Sequence, residues 1–414
     1  MKVLQVPRRF VASHWGGTET VILETCRQMV AKGHTTKVVC PSPLSKPGVD
    51  TLGGIAVERH GYFYPWLGLD AQARLQYDHK GGNLFSFSLM RALTREPNLD
   101  LIHLHTAKRL GGIVRHVAEK RRIPYVISVH GGLLDVPTEE AASWTEPSRG
   151  KPEWGKLLGW WVGSRRVFDD AAAILCVGAE EQRLTAQKYP GKKVIHLPNG
   201  VDPDHFSKGD GAAFRKAHGI DKGAFLFLVM GRIDPQKNQR LAIEALKELL
   251  ATHPHAHLLL VGHVTNQPYV EKVRGLIAEH GLEGRITLIP GIPSSSPDLV
   301  NAYHAADAFL LPSIHEPFGI VILEAWAAGL PVIASRVGGI PSFVEDGEEG
   351  LLFEPNDRGA LIGRMKALMD DADLGQRIAG AGKKKAVSQY SWSRVTELLL
   401  TIYEEAIREN SLRQ

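Results

Sequence analysis

The stretch Ala224–Asn238, AFLFLVMGRIDPQKN, decides the fold. Ala224–Met230 is apolar without interruption, and a glycine closes the run. Such a short apolar segment is a strand buried on both faces, as in a parallel sheet covered by helices. Asn238–Leu250 follows, with Leu241, Ala245, Leu246 and Leu249 at helical spacing. The turn between them lies at the carboxyl end of a strand, where open α/β sheets bind ligands. Downstream, Leu258–Val261, Ile286–Leu288, Ala308–Leu311 and Pro331–Ala334 read as further strands, with a helix over Tyr269–His280. Upstream the same alternation runs through Val3–Val6, Lys37–Cys40, Ile55–Glu58, Leu101–Leu104, Tyr125–Val129, Ala173–Val177 and Val194–Leu197. Helices are expected between them over Glu19–Lys32, Leu84–Thr94, Gly111–Lys120 and Glu180–Lys188. Alternating β and α elements make an α/β protein of two doubly wound halves. The turn-rich joint Leu197–Phe206, LPNGVDPDHF, separates them. The expected domains are residues 1–200 plus 391–414, and residues 201–390. The long amphipathic helix Tyr390–Arg408 closes the chain.

The 414 residues suit two domains, and 43% hydrophobic with 23% charged residues excludes disorder and coiled coil. No apolar run reaches a membrane span, and MKVLQVPRRF lacks a signal-peptide core. Cys26, Cys40 and Cys176 lie far apart and are expected as buried free thiols. A cytoplasmic protein is therefore expected. Residues 1–202 carry 27 Lys+Arg against 19 Asp+Glu, a balance of +8, whereas residues 203–414 carry 22 against 26, a balance of −4. A basic half favours an anionic substrate, a membrane surface or nucleic acid, or is scattered solvated charge. The run Lys108–Arg122 is one place for peripheral membrane contact, and a solvated helix face is the plainer reading. The aromatic stretch Tyr62–Trp66 and the irregular segment 135–156 form either a substrate wall or packing under a long loop.

Four stretches carry candidate chemistry. In Leu311–Gly329, LPSIHEPFGIVILEAWAAG, Glu324 sits in an otherwise apolar helix and needs a hydrogen-bonding or cationic partner, or the hydroxyls of a sugar or ribose. Glu316 precedes that helix, whose first N–H groups favour an anionic or hydroxyl-rich ligand. In MGRIDPQKN, Arg232 and Lys237 suit a diphosphate, although Arg232 pairing with Asp234 is the alternative. Gly16 and Gly17 follow the first strand and permit close backbone approach. His130 ends the strand Tyr125–Val129 in SVHGG and is either a hydroxyl or phosphate ligand or a structural histidine. GxGxxG, P-loop, nucleophile-elbow and zinc spacings are absent. Asp202 and Asp204 read as a hinge turn, and His253, His255 and His257 as a loop leading into a strand, not as metal ligands.

These motifs in this order resemble the retaining glycosyltransferases of the GT-B fold, family 4, over nearly the whole chain. Glu316 and Glu324 stand in that family's E-x7-E pattern. The resemblance implies two Rossmann-like domains facing across a cleft, with the acceptor on the N-terminal domain and the nucleotide sugar on the C-terminal one. It implies that Arg232 and Lys237 hold the diphosphate, Glu324 the ribose and Glu316 the transferred sugar. The backbone of Phe318, Gly319 and Ile320 would contact sugar and phosphate. Gly16 and Gly17 would approach the donor, and His130 would bind the sugar near the reacting carbon. It further implies hexosyl transfer with retention from a nucleotide sugar, a UDP-sugar first with GDP and ADP open, to a saccharide or lipid-linked acceptor. The basic N-terminal half favours a phosphate-bearing or lipid-linked acceptor, in polysaccharide or glycolipid assembly. No metal, cofactor or nucleic acid is expected. A soluble acceptor, as in disaccharide or disaccharide-phosphate synthesis, is the nearest alternative. A sugar-nucleotide 2-epimerase, a phosphorylase and a non-catalytic carbohydrate-binding protein are further ones.

Overall fold

The computed structural model describes residues 1–131, 148–293 and 296–412. The chain divides into two compact units, Met1–Pro198 with Val395–Gln414, and Asn199–Arg394. Each is built on its own sheet.

The first unit has eight strands: β1 (Lys2–Val6), β2 (Thr35–Pro41), β3 (Gly48–Leu52), β4 (Ile55–His60), β5 (Leu101–Leu104), β6 (Tyr125–Val129), β7 (Ala173–Cys176) and β8 (Val194–His196). Their order is β3-β4-β2-β1-β5-β6-β7-β8. All pairings are parallel except β3 with β4, an antiparallel edge hairpin. The inner strands are fully buried because helices cover both faces, which is why they read as apolar runs. Helix Lys108–Arg121 lays Leu110, Ile113, Val114 and Val117 into that core. Its apolar residues are therefore structural, and the membrane contact considered for Lys108–Arg122 has no apolar face to use. The three cysteines are buried free thiols. The chain's final helix, Trp392–Leu412, packs Tyr403 at 0% exposure onto this unit.

The second unit has six parallel strands: β9 (Phe225–Met230), β10 (Ala256–Val261), β11 (Ile286–Ile289), β12 (Ala308–Leu311), β13 (Val332–Ser335) and β14 (Leu351–Phe353). Their order, β11-β10-β9-β12-β13-β14, is that of a nucleotide-binding Rossmann sheet. The amphipathic helix Gln239–Leu249 follows β9 and fills one face with Leu241, Ala245, Leu246 and Leu249. In each unit the direction of strand succession reverses at one place: between β1 and β5, and between β9 and β12. Loops at the carboxyl ends of those pairs are splayed apart and open a crevice. No helix among the described residues is long and apolar enough to cross a membrane.

Candidate active site

Four of the sequence candidates fall at the reversal point of the second sheet. The loop after β9 carries Arg232 and Lys237, and the loop after β12 carries Glu316 and leads to Glu324. The two loops are tied together. Gln236 donates to the His315 carbonyl (3.0 Å), and the Ile314 N–H donates to the Gln236 carbonyl (2.8 Å). Lys237 Nζ donates to Glu316 Oε2 in a nearly buried ion pair. Arg232 is half-exposed and pairs with Asp234 (3.1 Å), its other nitrogen donating to Gln236 (2.8 Å). The pairing with Asp234 weighed from sequence is thus the one present. It holds Arg232 in the turn beside Lys237. Asp234 also accepts the Lys237 N–H (3.2 Å) and so shapes the turn.

Helix Ile320–Ala328 begins after Gly319, which is left-handed at φ 96° and offers no side-chain cap. The first N–H groups of such a helix point outward toward any anion placed there. The Phe318 side chain is core, stacked on Phe343 at 4.7 Å, so only its backbone is offered to a ligand. Glu324 accepts from the buried Tyr303 hydroxyl (2.5 Å). Burial pushes its carboxyl above the usual carboxylate range, and that hydrogen bond counters the shift. Tyr303 is the partner that the lone carboxylate in an apolar helix demanded. Sequence reading could not name it, because it lies on another helix. Equally unread was Gly338, at φ 53°, where a Cβ would stand 2.0 Å from the Glu316 carbonyl oxygen. Next to it, the Gly339 N–H donates to that same carbonyl (3.0 Å).

In the first unit, Gly16 is extended (φ −143°) and donates its N–H to Glu19 (3.1 Å), while Gly17 opens helix Gly17–Ala31. Neither shows a left-handed backbone, so conformation alone does not require glycine at 16 or 17. His130 ends β6 beside the β1/β5 reversal point, where a cavity of about 310 Å³ is lined by Arg8, Asn83, His105, Thr106, Lys108 and His130 among others. Gly132 and most of the 135–156 segment lie outside the described residues. Arg8 donates to the Gly82, Asp78 and Tyr77 carbonyls and to the Tyr64 hydroxyl, so it braces the cavity wall. Burial holds Arg8 below the usual arginine range, and Arg9 beside it adds to the effect. Lys108 is likewise held below the lysine range, by desolvation and then by the Arg8 charge. A desolvated lysine beside a second cation gains from an anion placed at the same cavity.

The histidines behind this cavity form a connected chain. Gln5 donates its amide N–H to Tyr403 (3.5 Å) and turns its carbonyl to His105 Nε2 (2.8 Å). His105 Nε2 therefore carries the proton, and its Nδ1 accepts from His130 Nε2–H (2.9 Å). His103 joins them through Nδ1 to the Tyr403 hydroxyl (2.6 Å) and through Nε2 to the Ser128 hydroxyl (2.7 Å). Every ring is neutral in this scheme, and His130 keeps the lone pair of Nδ1 as an acceptor. Burial supports it, holding His130 down at about 4 and His103 at about 3. The repeated histidines of LIHLH at β5 were the one sequence signal for this chain. Among the described residues no cluster with metal-ligand character occurs. His253 bonds to Asp370 and His257 to Thr287.

Two family models match the chain in succession. One described as Glycosyltransferase Family 4 covers residues 15–205, and one described as Glycosyl transferases group 1 covers residues 210–385. A D-inositol 3-phosphate glycosyltransferase of Acidothermus cellulolyticus is 31% identical over 345 residues, covering 78% of this chain and 72% of the relative. Among solved structures, HepE of Anabaena in complex with UDP superposes with a TM-score of 0.72 at 20% identity, over 98% of this chain and 100% of that one. Sucrose-phosphate synthase of Thermosynechococcus elongatus gives 0.72 at 20% identity, over 99% of both chains. The chain belongs to glycosyltransferase family 4, the group 1 glycosyl transferases, and its two Rossmann-like units are those of the GT-B fold.

Proposed function

We propose that the protein is a retaining hexosyltransferase that moves a sugar from a UDP-sugar to a hydroxyl of a phosphate-bearing acceptor. The observation that carries the donor half is the Lys237–Glu316 pair, set with Arg232 at the reversal point of a Rossmann sheet. Lys237 and Arg232 take the diphosphate, and Glu324 takes the ribose hydroxyls beside Tyr303. Glu316, released from Lys237, takes hydroxyls of the transferred sugar, with the backbone of Phe318, Gly319 and Ile320. Crystal complexes of HepE with UDP and with UDP-glucose favour UDP as the base carrier. On the acceptor side, Arg8 and Lys108 around one cavity favour an anionic group. The name of the Acidothermus relative points to the same chemistry.

The reaction follows from these placements. As the glycosyl–phosphate bond lengthens, negative charge grows on the diphosphate and Lys237 and Arg232 stabilise it. The acceptor hydroxyl attacks from the face that the diphosphate leaves, and its proton passes to the departing phosphate oxygen, so configuration is retained. His130 Nδ1 accepts from a hydroxyl of the sugar, and Gly16 and Gly17 leave room for the donor. Glu316, engaged with sugar hydroxyls, is not a covalent nucleophile. Two side-chain cations do the charge neutralisation that a metal performs elsewhere, so the reading assigns no metal.

The test is product analysis with UDP-glucose and a panel of phosphorylated and unphosphorylated polyols and sugars. The expected result is UDP release that depends on a phosphorylated acceptor, an α-linked product by NMR, and no loss of rate in EDTA. An epimerised donor without acceptor, or a β-linked product, would overturn the reading.

A further inference from the structure

Outside the candidate site, the first unit displays an apolar surface that its fold does not use. Helix Lys156–Trp161, KLLGWW, turns Trp160 and Leu157 outward at 83% and 76% exposure. Trp161 and Trp154, about half-exposed, extend the surface through ring contacts. Trp154 stacks on Phe63 (5.7 Å), Phe63 on the exposed Phe87 (5.9 Å), and Phe87 meets Trp161 (6.4 Å). Exposed aromatics joined into one patch mark a docking surface, because each would otherwise order water at a cost.

We propose that this patch seats the enzyme on an anionic lipid surface. Three observations select lipid over a protein partner. The apolar side chains protrude from a short helix, a shape that a fluid bilayer accepts and that a protein would have to match atom by atom. Tryptophan suits the headgroup level, where its ring is buried and its N–H stays wet. The charge around the patch leans basic: residues 148–166 hold Arg149, Lys151, Lys156, Arg165 and Arg166 against Glu153, and once Glu153 is paired with Arg109, Lys151 with Asp70 and Arg166 with Asp170, Arg149, Lys156 and Arg165 form the rim. Apolar insertion together with a basic rim is the pair of signals that stable peripheral binding requires.

The patch also adjoins the acceptor cavity. Asn83 and Leu84 line the cavity, and Phe85, next in the chain, packs against Phe63, Phe87 and Trp161. A phosphate held by Arg8 and Lys108 would therefore lie beside the lipid surface, and the acceptor's phosphate would be one carried by a lipid. This last step rests on the proposed function, whereas the docking itself does not.

The experiment is co-sedimentation of the full chain with vesicles of phosphatidylcholine alone and of phosphatidylcholine with phosphatidylglycerol. UDP binding is measured on the same samples. The expected result is binding to the anionic vesicles only, weakened by salt. Leu157→Ser with Trp160→Ser should weaken it on the order of tenfold or more, and Arg149→Gln with Lys156→Gln should lessen its salt dependence. UDP affinity should stay unchanged in both variants. Absence of vesicle binding in protein that binds UDP would overturn the docking proposal and leave the donor reading intact. So would binding undiminished by Leu157→Ser with Trp160→Ser, or a dimer that this substitution dissolves, which would assign the patch to a second copy. Loss of UDP binding in the unsubstituted protein would instead strike the donor reading.

Discussion

At the scale of single residues, His130 shows how a buried hydrogen-bond chain sets chemistry. Gln5 fixes the His105 tautomer, and His105 fixes that of His130. Desolvation then holds His130 at about 4, so it is neutral throughout the physiological range. The kcat/KM profile should therefore show no acid limb near the ordinary histidine value of about 6.5, and a limb there, lost in His130→Gln, would show that the ring titrates as an exposed one. None of this was legible in the sequence beyond the three histidines themselves. Gln5, His105 and His130 come from β1, the end of β5 and the end of β6, and only parallel pairing brings them together. Arg232, Lys237, Glu316 and Glu324 were legible for the opposite reason. Arg232, Lys237 and Glu316 lie in the turns after β9 and β12, and Glu324 in the helix that the second turn opens, so local spacing already places each of them. Tyr303, which partners Glu324, escaped because its helix shares no local pattern with the helix it faces.

At the scale of elements, the apolar strands were readable because burial on both faces leaves an uninterrupted run. The edge strand β3, GVDTL, was not, since it is exposed over most of its length and carries neither alternation nor an apolar run. The helices Ala71–Lys80, Arg358–Asp370 and Ala372–Gln389 were likewise unassigned. The loop after β12 illustrates how neighbouring elements set a site. It is braced from behind by the turn after β13, where Gly338 approaches the Glu316 carbonyl oxygen so closely that a Cβ would stand 2.0 Å from it. Gly338→Ala should push that loop outward, at a cost of about 1–3 kcal/mol in stability for the left-handed backbone, and weaken UDP binding as Glu316 and Lys237 part. Calorimetry and UDP titration check both effects. An unchanged melting temperature with unchanged UDP affinity would show that the loop yields freely.

At the scale of the molecule, two sheets each reverse strand order once, and the candidate residues of each unit gather at that reversal. The basic bias of the first half has a local expression there, in Arg8 and Lys108 around one cavity and in the rim of the aromatic patch. The mildly acidic second half places two of its cations, Arg232 and Lys237, in the turn after β9. The central claim is that this turn holds a nucleotide diphosphate. Isothermal titration of UDP into the unsubstituted protein and into Lys237→Ala tests it most directly. The account predicts saturable UDP binding that Lys237→Ala weakens, with hexosyl transfer by that variant reduced by roughly 10²–10³ while its far-ultraviolet circular dichroism is preserved. Equal UDP affinity and near-normal transfer in Lys237→Ala would contradict it.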